Sequence, residues 1–178
     1  MKYMLQGPGR CGKETVGKIM NQYFGLTCIA SSLAASESVI FPLLKKTYGY
    51  ATAKECYEDR LNHRQEWKEI ISRYNKDDPC KLGDYIYGNY DAYDGCRSRR
   101  EFDAICAKWQ PVTIWIDASR RKTDLEDPTL EMDMFDCSYC IDNNSTEENL
   151  KFEVITLFHR TLMAPFVSHT ENAEPEIT

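Results

Sequence analysis

Nine residues near the start of the chain, Gly7-Pro-Gly-Arg-Cys-Gly-Lys-Glu-Thr15, combine three glycines with a lysine and a hydroxyl. This is the composition of a phosphate-binding loop. Glycines let successive backbone N–H groups turn into one concavity, and a helix starting there adds the partial positive charge of its N-terminus. Gly7, Gly9, Arg10, Gly12, Lys13, Glu14 and Thr15 are therefore candidates to hold nucleotide phosphates, with the Lys13 charge against the β- and γ-phosphates. The hydroxyl stands two residues after the lysine. Glu14 fills the position between, where it would meet a metal through water. A chance glycine-rich turn would lack the flanking elements. Here Lys2 to Gln6 reads as a buried strand, and Lys13 to Phe24 as a helix with Val16, Ile19, Met20 and Tyr23 on one face.

A second group is Tyr93-Asp94-Gly95-Cys96-Arg97. Asp94, at the end of a predicted strand, can hold a Mg²⁺ shell, and Arg97 can reach a phosphate in the same cleft. An ordinary strand-end turn and a surface ion pair use the same residue types. Asp117-Ala-Ser-Arg120-Arg121 ends the next strand. Arg120 and Arg121 are candidates to clamp a transferred phosphoryl group, whose transition state spreads negative charge over its oxygens; a solvated basic turn is the alternative. Roughly sixty residues separate the second strand from Asp94, too many for a simple crossover. Within them Arg60, His63, Arg64 and Trp67 recur at spacings of three and four, one face of a helix expected over Thr52 to Asn75. Two guanidinium groups and an indole suit a nucleoside monophosphate, or equally a basic edge beside a core tryptophan.

These groups need a frame. Strand candidates Leu26 to Ala30, Tyr90 to Asp94, Val112 to Asp117 and Tyr139 to Ile141 alternate with helices, among them Val39 to Tyr48. Capping-box patterns open helices at Thr52, Ser98 and Ser145, and Asp78-Pro79 reads as a fourth start. The last helix carries Leu150, Val154, Leu157, Phe158 and Leu162 on one face. Alternation of this kind implies a parallel sheet covered on both sides, with ligands at the carboxyl ends of its strands.

The motifs resemble those of P-loop nucleoside monophosphate kinases of the adenylate-kinase-like type, and most of all the phage-type deoxynucleoside monophosphate kinases. Gly12-Lys13-Glu14-Thr15 matches their Gly-Lys-x-Thr variant. Asp94-Gly95-Cys96-Arg97 is similar to their Asp-Gly-x-x-Arg strand end, one residue shorter, and Ser98-Arg-Arg-Glu-Phe102 is similar to their Arg-x-x-x-Glu stretch. The resemblance runs from Met1 to about Leu162. It implies a three-layer α/β/α P-loop fold with a mostly parallel sheet of about five strands. It further implies a kinase domain over 1–164, with a helical acceptor-binding insertion at about 31–88 and a short lid at about 118–135. Residues 165–178 read as a flexible acidic tail. ATP and Mg²⁺ are the implied cofactors, with Thr15 and Asp94 at the metal and Asn143 beside adenine. Arg60, Arg64, Trp67, Asp94 and Arg97 are implied at the acceptor, and Lys13, Arg97, Arg120 and Arg121 in catalysis. The implied reaction is phosphoryl transfer from ATP to a deoxynucleoside or nucleoside monophosphate. A P-loop kinase acting on a hydroxyl, with Asp94 or Asp117 as base, and a non-catalytic nucleotide-binding module remain alternatives.

The whole composition is consistent with one globular domain of 178 residues, 42% hydrophobic and 28% charged. Its 22 basic and 28 acidic residues give a net charge of −6. A small anionic ligand fits such a chain better than nucleic acid or an anionic membrane. No membrane segment or signal-peptide pattern is legible, so a cytoplasmic location is expected, that of the host if the chain is phage-encoded. Eight cysteines are then expected to be reduced thiols. Cys137 and Cys140 form a lone CxxC without the further ligands that structural zinc needs. A homodimer stays open.

Overall fold

The structure, a computed structural model, describes residues 1–121 and 127–163. The expected 165–178 tail, residue 164 of the expected kinase domain and residues 122–126 of the expected lid lie outside them.

The central strand β1 (Tyr3–Gln6) is fully buried, and it carries the phosphate-loop sequence at its end. Helix α1 (Lys13–Phe24) follows and stops at Gly25, whose left-handed backbone lets its N–H cap the Asn21 carbonyl. Strand β2 (Cys28–Ala30) leads into a long helical insertion: α2 (Ser31–Ala35), a π turn over Ser36–Ile40, α3 (Phe41–Tyr48), α4 (Ala53–Glu58), α5 (Arg64–Tyr74) and α6 (Lys81–Asn89). The chain then alternates β3 (Ala92–Asp94), α7 (Arg99–Trp109), β4 (Val112–Asp117), β5 (Tyr139–Asp142) and α8 (Glu147–Met163). All neighbouring strands pair in parallel, in the order β2-β3-β1-β4-β5. The expected five-strand α/β sheet is present.

Side-chain alternation along β1 divides the core. Met4 packs with residues of the helical insertion and α7, such as Trp67, Ile86 and Phe102. Tyr3 and Leu5 pack on the other face, against Val16 and Met20 of α1 and Val154 and Phe158 of α8. Helices thus cover both faces, as a sheet of parallel buried strands requires. The carboxyl ends of β1, β3 and β4 converge at one edge, where strand order reverses about β1.

Six local expectations are corrected. The helix expected over Thr52 to Asn75 is broken. The Asp59 carboxylate accepts from Tyr50 Oη (2.6 Å), Asn62 Nδ2 (2.5 Å) and His63 Nε2 (3.0 Å), and winds the chain into a 3₁₀ turn between α4 and α5. Thr52 caps α4 as expected, by accepting from Glu55 N–H at 3.1 Å. Ser98 makes no such bond: the Arg99 N–H donates to Glu131 Oε2 at 2.6 Å, and Glu101 turns inward to Tyr93. At the last helix Thr146, rather than Ser145, accepts from Asn149 N–H at 3.2 Å. Asp78 caps only the turn before α6, by accepting from Cys80 N–H at 2.9 Å. Tyr23 and Leu162, expected on buried helix faces, are 41% and 45% exposed. The helix expected at Val39 begins earlier, at Ser31. Its π turn, where Phe41 N–H reaches back to the Ser36 carbonyl, falls where Pro42 lacks an N–H to continue the ordinary ladder.

Candidate functional site

The site grows from the end of β1. Gly7 has φ 129°, and a Cβ there would sit 2.8 Å from the Ile116 carbonyl oxygen and 2.9 Å from Cys11 Sγ. Gly12 has φ 108°, and its Cβ would lie 2.3 Å from Asn143 Nδ2. Only glycine meets both the backbone and the space at these two points. Arg10 also adopts the left-handed region, at φ 65°. Asn143 is the brace of the loop. It is 4% exposed and donates from Nδ2 to the Cys11 carbonyl at 2.7 Å, while its own N–H donates to the Asp117 carbonyl at 2.7 Å. Helix α1 opens at Lys13 with no side-chain cap, so its first-turn N–H groups keep the donor capacity that suits an anion. Lys13 Nζ donates to the Gly7 and Pro8 carbonyls at 2.8 and 2.9 Å, which folds the side chain along the loop.

Asp94 ends β3 opposite Leu5 of β1, and the Gly95 N–H donates to the Leu5 carbonyl at 3.0 Å. A Cβ at Gly95 would lie 3.7 Å from Lys13 Cε and 3.8 Å from Ser31 Oγ. The strand end and the loop lysine are therefore side by side. Burial pushes the Asp94 carboxyl up to about 6, against the pull of Lys13; the charge of Glu14 adds to the rise and that of Arg97 opposes it.

Two cavities flank the loop. The larger, about 800 Å³, opens beside Gly95. Arg60, Arg64, Arg97 and Arg100 line it, and Trp67, Leu82 and Tyr93 are among its apolar walls. Arg60 lies 3.9 Å over the Tyr57 ring and donates to the Tyr57 carbonyl at 2.9 Å. Arg100 donates to the Lys76 carbonyl at 3.0 Å. Arg97 is ion-paired with Asp127 and donates to Thr129 Oγ1 at 3.0 Å. Among the described residues Arg64 has no hydrogen-bond or ion-pair partner. Although the helix is broken, Arg60, Arg64 and Trp67 still reach one cavity, because the 3₁₀ turn carries Arg60 back toward the start of α5.

The smaller cavity, about 250 Å³, lies on the other side of the loop, where Arg10, Gly12, Thr15, Arg121 and Asn143 line it. Arg121 Nε donates to the Asn143 carbonyl at 3.0 Å, which places Arg121 on this side. Arg120 lines neither cavity. It pairs with Asp142 at 2.5 Å on the surface.

Of the two residues expected at a metal, Thr15 lines the smaller cavity, and Asp94 stands at the strand end beside Lys13. The carboxylate whose charge reaches Asp94 is that of Glu14, which is exposed and lies 3.3 Å from Lys18. Thr15 and Asp94 carry oxygen donors of the kind that Mg²⁺ shared with substrate phosphates takes. Among the described residues no group of three or more histidine, cysteine or acidic side chains is arranged to hold a metal ion. All eight cysteines are free thiols.

Sequence reasoning did not single out Ser31, Asn75, Arg100 and Glu101 as site residues. Ser31 and Asn75 lie in the insertion with no motif around them. Glu101 carries the spacing of a helix-capping residue, and only the Tyr93 hydroxyl waiting on β3 reveals that it turns to the cavity. Among the described residues no helix is long and apolar enough to cross a membrane. No family model and no curated protein matches the chain. Among solved structures, the chain is similar to shikimate kinase from Bacteroides thetaiotaomicron, with a TM-score of 0.47 and 11% identity over 92% of this chain and 99% of that one.

Proposed function

We propose that the protein transfers the terminal phosphoryl group of ATP to a nucleoside monophosphate, with deoxynucleotides the expected acceptors. One observation carries this reading: a cavity lined by four arginines opens directly beside the lysine of a phosphate-binding loop. A cavity of that charge on a chain of net charge −6 suits a compact dianion. A phosphate monoester is already largely ionised at neutral pH, so it needs no base to attack, only positioning and charge neutralisation. The loop N–H groups and Lys13 hold the donor phosphates. Arg97 and Arg64 receive the acceptor phosphate, and Arg121 lies with Arg10 on the donor's base side. Thr15 and Asp94 would hold Mg²⁺, which would supply neutralisation of phosphate charge.

A second reading rests on Asp94. A carboxyl pushed up to about 6 beside the transfer point is matched to take a proton from a hydroxyl at neutral pH. A coupled ADP-release assay with Mg-ATP separates the two. Release that requires a nucleoside or deoxynucleoside monophosphate, and is absent without acceptor, is the expected result. Release driven instead by unphosphorylated nucleosides or small alcohols would replace the first reading with the second.

A further inference from the structure

Arg60 and Arg64 reach the larger cavity from a turn that is not a regular helix, and a cluster of polar side chains behind them sets that turn. Asp59 is its centre. Its Oδ2 accepts from Tyr50 Oη at 2.6 Å and faces His63 Nε2 at 3.0 Å, while its Oδ1 accepts from Asn62 Nδ2 at 2.5 Å. The His63 ring lies 4.2 Å from that of Tyr48, and its Nδ1 lies 3.9 Å from Glu66 Oε2. The Tyr48 hydroxyl donates to that same oxygen at 2.9 Å. The cluster thus ties the end of α3, the loop after it and the start of α5 to one carboxylate. The hydrogen bonds, that from Tyr50 foremost, hold the Asp59 carboxyl below the usual carboxylate range, so it stays ionised at neutral pH.

We infer that Asp59 is a positioning residue for the acceptor: through this cluster it sets Arg64, and with it Arg60, at the wall of the larger cavity. The inference rests on the monophosphate reading of that cavity. None of Tyr48, Tyr50, Asp59, His63 and Glu66 lines it. Each arginine instead directly follows a member of the cluster, Arg60 after Asp59 and Arg64 after His63. The backbone between them closes on two bonds, Asn62 N–H to the Asp59 carbonyl at 3.0 Å and His63 N–H to the Arg60 carbonyl at 3.3 Å. Arg60 has a second anchor in the ring and carbonyl of Tyr57. Among the described residues Arg64 has no hydrogen-bond or ion-pair partner, so its place depends on the turn that carries it. A guanidinium meets a phosphate with little entropic loss only when its backbone is already fixed, and Asp59 fixes it from outside the cavity.

The test is steady-state ADP release with Mg-ATP and the best-used monophosphate, in wild type, Asp59→Ala, Arg64→Ala and the double variant. Asp59→Ala is expected to raise the acceptor KM about 10-fold, with kcat and the ATP KM within about 2-fold of wild type. Arg64→Ala is expected to raise it about 30-fold, through loss of a charged hydrogen bond to phosphate. In the Arg64→Ala background Asp59→Ala is expected to add no more than about 2-fold, since the side chain it positions is gone. Tm should fall by only a few degrees, because partly exposed polar pairs contribute little to stability. An Asp59→Ala effect of the same size in both backgrounds, an unchanged acceptor KM, or a rise in both KM values together overturns the inference and leaves phosphoryl transfer standing. Should Asp59→Ala fail to fold, Tyr50→Phe, which removes one donor to the carboxylate, carries the same cycle with an expected effect of about 3-fold. If no monophosphate is turned over, the monophosphate reading fails, and calorimetric binding of inorganic phosphate, with the loop filled by a non-hydrolysable ATP analogue, decides the inference alone. An affinity about 10-fold weaker in Asp59→Ala, with no such loss in the Arg64→Ala background, upholds Asp59 as the positioning residue. Phosphate binding that is indifferent to Asp59, or absent, overturns it.

Discussion

Asp94 and Asn143 show what single residues contribute. The folded chain holds the Asp94 proton more tightly than an unfolded chain does, because burial opposes its charge. Ionising it therefore costs stability: the contribution is intact below the unfolded value near 4 and is lost as pH rises through about 6. Asp94→Asn removes that cost. It is expected to raise stability by about 2 kcal/mol at pH 8, with the gain vanishing below pH 4, while turnover falls. Denaturant midpoints of both proteins across pH 4–8 check this; an equal gain at all pH values would mean that Asp94 is not held protonated. Asn143 braces the loop from below. Asn143→Ala leaves the Cys11 carbonyl without its donor and is expected to cost about 2 kcal/mol, a fall of about 4–8 °C in Tm. Nucleotide affinity should fall with it, and an unchanged affinity would show that the loop holds its shape without the brace.

At the scale of elements, the segment after β4 reaches back to the start of α7. Asp127 ties Arg97, and its Oδ2 would lie 3.9 Å from a Cβ on Gly9, so this carboxylate sits over the phosphate loop. Under the proposed function it competes with the acceptor phosphate for the same guanidinium. Asp127→Asn is expected to lower the acceptor KM by about 3- to 10-fold with kcat little changed, a contribution of the size that one partly exposed ion pair supplies. An unchanged or raised KM in steady-state kinetics would make the Arg97–Asp127 pair part of the working site instead. Such pairings are where the sequence is least legible. The strands and α1 announce themselves through continuous apolar runs and helical period, and the phosphate loop through its glycines. The break at Asp59 does not, because it depends on Tyr50, Asn62 and His63 arriving together. Glu101 has the spacing of a cap, and its true partner lies on another element eight residues earlier.

For the molecule as a whole, parallel order β2-β3-β1-β4-β5 sets the loop between two cavities, one of about 800 Å³ and one of about 250 Å³. The alternation of strand and helix makes that sheet legible in the sequence. The division into two cavities is not, because it follows from which crossover passes which face, and from Arg121 turning to Asn143 while Arg120 turns to Asp142. A dinucleoside oligophosphate spanning both cavities is expected to bind at least 10-fold more tightly than ATP, since its second half binds from a high effective concentration. Calorimetry checks this, and equal affinities would contradict a shared phosphate channel. Under the proposed function Lys13 acts on the transferred phosphoryl group, and the Lys13→Ala variant shows whether it does. ADP release dependent on a monophosphate acceptor should fall by about 10³-fold while Tm stays within a few degrees of wild type. Turnover retained by a folded Lys13→Ala protein would remove the loop from the chemistry.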